Sequence, residues 1–244
     1  MTFSLIKNFY FYAMQFLRLL LIPLSWIYGF IIYLRNRFFD WGIFKTNEFP
    51  ILMIAVGNLS TGGTGKTPMI EYLIELLKKN YAIATLSRGY KRKSRGFILA
   101  DANSTAQEIG DEPMQYKRKF PFVHVAVDAN RKRGIQILQE EIKDLKVILL
   151  DDAYQHRSVK AGLSILLTDY SKLFFEDQLL PAGSLRESIG GVQRADIIVV
   201  TKTPEQLSPI ERRIIIKKIN PLDYQHVYFS FIAYADEIAT QESI

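Results

Sequence analysis

The sequence predicts an α/β fold built on a mostly parallel, doubly wound sheet, and three observations predict it. Apolar runs of strand length recur from residue 51 to residue 232, apolar residues at helical spacing fall between them, and the first such run enters a glycine-rich turn ahead of a helix. The runs at 51–56, 82–86, 122–127, 147–150, 163–167, 197–200 and 227–232 are nearly continuous in apolar character, as expected of strands covered on both faces. Helical patterns at 68–79, 112–119, 131–143 and 209–218 intervene, so strand and helix alternate. In such sheets ligands gather at the carboxyl ends of the strands.

The first segment differs from the rest of the chain. Residues 1–39 carry no Asp or Glu and are dominated by Phe, Leu, Ile, Tyr and Trp. The 16 uncharged residues 19–34 are interrupted by Pro23, Ser25 and Gly29, and fall short of the ~20 needed to span a bilayer. Two helical pieces hinged at Pro23 are expected to lie at a membrane interface, with Trp26, Tyr28 and Tyr33 at headgroup level and Lys7, Arg18, Arg35 and Arg37 on anionic phosphates. Residues 1–46 are thus read as a membrane-association segment, residues 47–234 as the core, and 235–244 as the start of a further lobe.

The stretch Gly57-Asn-Leu-Ser60-Thr61-Gly62-Gly63-Thr64-Gly65-Lys66-Thr67-Pro68 carries the chemistry of the fold. Gly62, Gly63 and Gly65 allow positive φ, so backbone N–H groups can point at phosphate oxygens beside a helix N-terminus. Lys66 reaches β and γ phosphates in this arrangement, Thr67 offers a hydroxyl to Mg²⁺, and Pro68 suits a first helical turn. Ser60 stands where the strict motif has its first glycine. The expected fold is therefore P-loop NTPase-like, and nucleotide chemistry is the expected function.

A second signal is Val147-Ile-Leu-Leu-Asp151-Asp152-Ala-Tyr-Gln155-His156-Arg157, four apolar residues running into two carboxylates in the form of a Walker B strand. One acid at that position can hold Mg²⁺ and the other can position metal or substrate; if both stay extended they point to opposite sides. In Gly110-Asp111-Glu112-Pro113, Asp111 is expected to cap a helix, although an Asp on such a loop can also accept a proton from an attacking hydroxyl. Arg88, Lys91, Arg92, Lys93 and Arg95 surround Tyr90 as a solvated basic loop or an anion clamp. Arg131, Arg133 and Arg186 are further candidate phosphate donors.

Composition narrows the classes. The absence of cysteine removes disulfides, thiolate metal sites and cysteine nucleophiles. A net charge of +6 favours acidic partners without choosing among them. The aromatics cluster in the apolar N-terminus rather than among basic residues, which argues against nucleic acid. A membrane-bound ATPase or GTPase switch is the alternative class. Guanine selectivity is disfavoured by Pro204 in Thr201-Lys202-Thr203-Pro204, where a base-reading carboxylate belongs.

Together these motifs resemble the tetraacyldisaccharide 4′-kinase family. The likeness covers the apolar N-terminus, the loop from Gly57 to Pro68, Ser87-Arg88-Gly89-Tyr90, Gly110 to Pro113, Asp151 to His156, and Leu180-Pro181-Ala182-Gly183 through Leu185-Arg186-Glu187. The resemblance implies ATP and Mg²⁺ as cosubstrates, a membrane-embedded acylated glucosamine disaccharide 1-phosphate as acceptor, and action at the cytoplasmic face of the inner membrane. No obligatory protein partner is expected. By the same resemblance Asp111 is the base, Lys66 and Thr67 handle phosphate and metal, and Glu112 with Asp151 or Asp152 organises Mg²⁺. Arg88, Tyr90, Arg131, Gln155 and His156 fall to the acceptor, and Arg186 to transition-state charge. Where the family motif often has Gly-Phe this chain has Ala153-Tyr154, and the Lys-Asp and Phe-Pro-Asp-His-type motifs of the family's later lobe do not occur in it.

Overall fold

The computed structural model describes residues 2–233, with side-chain surroundings from Arg18 onward. The expected headgroup contact of Lys7 and the further lobe expected from residues 235–244 lie outside that description. The chain begins with helix α1 (Thr2–Asp40), followed by β1 (Leu52–Asn58), α2 (Lys66–Leu77), β2 (Ile83–Ser87), β3 (Ile98–Leu99), α3 (Ala106–Ile109), α4 (Asp111–Lys119) and β4 (His124–Val127). It continues through α5 (Arg131–Glu141), β5 (Val147–Asp151), β6 (Leu163–Asp169), β7 (Ile197–Thr201), α6 (Pro209–Ile219) and β8 (His226–Phe229).

The sheet runs β3-β4-β2-β5-β1-β6-β7-β8, and every pairing is parallel except that of β3 with β4. All seven strands expected from apolar runs are present, with ends moved by no more than three residues; the two-residue β3 is too short to leave a sequence pattern. Pleat alternation assigns the faces. Ile54, Val56 and Leu149 meet α2 and α4 through Ile70, Ile74 and Tyr116. Met53, Ala55 and Leu150 meet α5 through Ile135 and Leu138, while Leu166, Ile198 and Val200 on that same face meet α6 through Ile215 and Ile219. Ile70 and Ile74 are fully buried, each contributing about 1.5–3 kcal/mol of hydrophobic stabilisation.

Local chemistry sets the helix ends. The Asn130 side chain caps α5 by accepting from Arg133 N, and Ser208 with Glu211 forms a capping box ahead of Pro209 in α6. Asp111 does not cap α4 as expected: Gly110, at φ +97, is the cap, and Asp111 is the first residue inside the helix. The step from α3 directly into α4 needs that positive φ, which glycine alone adopts freely.

Nor is the N-terminal segment hinged. One helix runs through Pro23, which removes a single backbone donor. Its residues beyond the proline are held against the core, beginning with Ser25. The portion Arg18–Asp40 is long and apolar enough to cross a membrane by length and composition, with a mean hydropathy of 1.4.

Candidate active site

Val56 of β1 pairs with Asp151 of β5, so the glycine loop and the two carboxylates leave the sheet side by side. Gly62 and Gly65 take positive φ at 121° and 85°, and Gly65 leads directly into α2. Gly63 does not take the expected positive φ; a Cβ at Gly62 or Gly63 would meet nothing within 4 Å, so this stretch borders open space into which a ligand can enter. The loop is pinned from outside. Thr201 Oγ1 donates to Thr64 O at 2.9 Å, Lys202 Nζ donates to Gly63 O, and Thr61 N donates to Ser184 O at 2.7 Å.

Lys66 Nζ lies 3.5 Å from Asn58 Oδ1 and 3.5 Å from Asp152 Oδ1. Asp152 has left the strand with φ +49, so the alternation expected of two extended residues does not apply. Its carboxylate also accepts from Arg186 Nη1 at 3.0 and 3.2 Å. Though burial opposes ionisation, Lys66 and Arg186 hold Asp152 below the ordinary carboxylate range.

Asp151 is 1% exposed. Its Oδ2 accepts from Tyr116 Oη at 3.1 Å, and its Oδ1 has no partner. Burial first, then the carboxylates of Glu112 and Asp152, push its pKa up to about 6. Burial, reinforced by Asp151, also raises the pKa of Tyr116. Asp151 thus keeps one unpaired oxygen, and Glu112, whose charge opposes its ionisation, and Thr67, next to Lys66 at the start of α2, offer further oxygens. A hard cation with oxygen ligands fits that donor set. Among the described residues no group of three or more His, Cys, Asp or Glu side chains can hold a metal alone, so a cation here needs further oxygens, such as those of a phosphate.

The candidates for the acceptor separate in space. Arg131 is 2% exposed and spends its guanidinium on backbone, donating to Asp128 O and, at 3.1 Å, to Asp151 O, with Nε unpartnered. Burial lowers its pKa to about 10. Rather than presenting its charge at a surface, it supports the strand end that carries Asp151. Arg133 is taken by Asp128 at 2.8 Å through two nitrogens, and Arg92 donates to Gly96 O at 2.6 Å, so neither offers the free cation expected of it. Arg88 and Tyr90 are exposed after β2. Gln155 Nε2 donates to Asn58 O at 2.6 Å. His156 is drawn down to about 4 by burial and then by Arg131 and Arg88, and so stays neutral at physiological pH.

Asp111 is exposed on the first turn of α4, lining a cavity of about 450 Å³ with Met114, Gln115 and Arg118. A cavity of about 530 Å³ lies away from the phosphate loop, on the α5 side of the sheet. Three of its lining cations are paired with carboxylates, Arg157 with Asp40, Lys160 with Glu48 and Arg194 with Glu187. Asn58, Tyr116, Thr201 and Lys202 are parts of the site that sequence reasoning did not assign. Asn58 and Tyr116 stood beside motifs that were recognised, whereas Thr201 and Lys202 join the loop only through the order of strands β1-β6-β7.

Comparison with known proteins bears on the family. The chain matches the family model described as tetraacyldisaccharide-1-P 4′-kinase, LpxK, over residues 17–241. A protein named tetraacyldisaccharide 4′-kinase from Bacteroides thetaiotaomicron is 56% identical over 217 residues, 88% of this chain and 57% of its own. One of the same name from Flavobacterium johnsoniae is 56% identical over 226 residues, 92% of this chain and 66% of its own. The chain thus spans between 57% and 66% of the length of these relatives. A crystal structure of LpxK from Aquifex aeolicus in complex with ATP superposes with a TM-score of 0.72 at 30% identity, covering 93% of this chain and 87% of that one.

Proposed function

Since the chain belongs to the tetraacyldisaccharide 4′-kinase family, we propose that it transfers the γ-phosphoryl group of ATP to the 4′-hydroxyl of a tetraacyldisaccharide 1-phosphate at the cytoplasmic face of the inner membrane. The observation that carries this reading is the convergence of Lys66, Asp152 and Arg186 beside the glycine loop, with Asp151 and Thr67 adjoining. The ATP-bound neighbour supports ATP as the donor.

The loop amides and Lys66 bind the β and γ phosphates, where they oppose charge as it builds on the transferring oxygens. Mg²⁺, for which Thr67, Glu112 and Asp151 are suited, supplies neutralisation of the phosphate oxygens when bound. Arg186 is parked on Asp152 at 3.0 Å, close enough to Lys66 to share the same phosphate-facing space. Asp111 accepts the proton of the 4′-hydroxyl as its oxygen bonds to the γ phosphorus and the bond to the ADP oxygen breaks. Arg88 and Tyr90 face the acceptor. The apolar outer side of α1, including Leu20, Leu24, Ile27 and Ile31, is exposed and rests in the bilayer interface that holds the acyl chains.

The test is transfer of labelled γ-phosphate from ATP to a tetraacyldisaccharide 1-phosphate in detergent micelles. Labelled 4′-phosphorylated lipid is the expected product. Hydrolysis of ATP with no labelled lipid would move the assignment to a nucleotide switch.

A further inference from the structure

The phosphate loop is held by more than its own strand and helix. Thr61 N donates to Ser184 O and Arg186 N to Leu59 O, each at 2.7 Å, and Ser60 bridges antiparallel to Leu185. Residues 184–186 therefore lie along the start of the loop as a short extra strand, and it is this strand that delivers Arg186 to Asp152.

That strand is in turn held by α1. Ser25, 5% exposed, donates to Leu179 O and accepts from Ala182 N, both at 3.0 Å. Tyr28 Oη donates to Arg186 O at 2.8 Å. Asn36 Nδ2 donates to Glu187 Oε1 at 2.5 Å, a buried carboxylate that Arg194 also grips through two nitrogens at 2.8 Å. Gly29 permits the approach, since a Cβ there would lie 2.8 Å from Leu179 Cδ1. A second path leaves the same helix: Arg35 donates to Gln155 O at 2.9 Å, Gln155 to Asn58 O at 2.6 Å, and Asn58 Oδ1 accepts from Lys66. These positions share one side of α1, opposite the exposed apolar side.

We propose that α1 is a positioning element of the phosphotransfer site, with Tyr28 as the positioning residue that, through the Arg186 carbonyl, keeps residues 184–186 paired with the phosphate loop and aims the Arg186 guanidinium at Asp152. The inference rests on the phosphotransfer reading of the site. A rigid helix carries its two sides together, so seating the apolar side in lipid fixes the polar side on the loop. A single hydroxyl bond of this kind contributes too little for its loss to unfold the domain.

The test combines Tyr28→Phe with Ser25→Ala and has two arms. Amide exchange on the free 244-residue chain is expected to quicken roughly tenfold at residues 59–61 and 184–187 while β1, β5 and α2 exchange as in the parent. In the transfer assay, Tyr28→Phe is expected to lower kcat roughly tenfold with KM for ATP changed less than about twofold, and to add nothing in an Arg186→Lys background. Unchanged exchange at those two segments, faster exchange spread over β1 and β5 together with a lower Tm, or losses that add to that of Arg186→Lys would each overturn the proposal. A parent chain that binds ATP but transfers nothing to lipid would remove the phosphotransfer reading alone, and the exchange arm would still decide whether α1 holds the loop.

Discussion

The side of the site proposed for the phosphate donor and the side proposed for the acceptor are made differently. On the donor side the loop carbonyls of Gly63 and Thr64 are already occupied, Lys66 sits between Asn58 and Asp152, and Asp151 is buried with one bonded oxygen. On the proposed acceptor side Arg88, Tyr90 and Asp111 stand exposed on a loop and a first helical turn. A polyphosphate is the same in every turnover and rewards a fixed cradle, whereas a lipid headgroup arrives from a surface and must be admitted. On that proposal buried polar groups mark the donor side and exposed ones the acceptor side.

The widest break between the two is expected from Lys66→Ala. Removing the ammonium beside Asn58 and Asp152 is predicted to lower transfer by about 10³-fold or more and to weaken ATP binding as well, because both ground state and transition state use it. Equilibrium titration with a fluorescent ATP analogue beside the transfer assay measures both losses. Asp111→Asn sharpens the contrast, with transfer expected to fall about 10²–10⁴-fold while ATP affinity stays within about twofold. An equal loss of ATP binding in the two variants would remove Asp111 from the acceptor side.

The smallest effect concerns stability. Because the folded Asp151 carboxyl titrates near 6, above its ordinary value of 3.8, its share of stability is present below the ordinary value and lost as pH rises through about 6. Without divalent cation, Asp151→Asn is therefore expected to stabilise the fold at pH 8 by about 1–3 kcal/mol and by well under about 1 kcal/mol at pH 4. Urea unfolding at the two pH values in a chelator reads this directly, and added Mg²⁺ should narrow the gap at pH 8.

How much of this was legible beforehand depends on the range of the forces. The strand-loop-helix at Ile54 to Ile74 and the strand ending in Asp151 are contiguous in the chain, so apolar runs and glycines announced them. The turn at Gly110 was misread by one residue because Asp111 is also a good cap; α3 running straight into α4 hands the cap to glycine. Arg131 and Arg133 read alike in sequence. Only Asp128, lying at the end of β4 beside them, separates the buried one from the exposed one. The docking of α1 on 179–187 joins residues more than 150 positions apart, and its helical pattern was obscured by Pro23.

The external pinning of the glycine loop also bears on the thermodynamics of nucleotide binding. Freezing each backbone residue of a free loop costs about 1–2 kcal/mol of conformational entropy. Here Thr201, Lys202 and residues 184–186 impose that order when the domain folds. The loop thus meets ATP with its freedom already spent, and calorimetry should find an association driven by enthalpy with only a small adverse entropy from the protein backbone. Turnover after turnover, the ordering is done once.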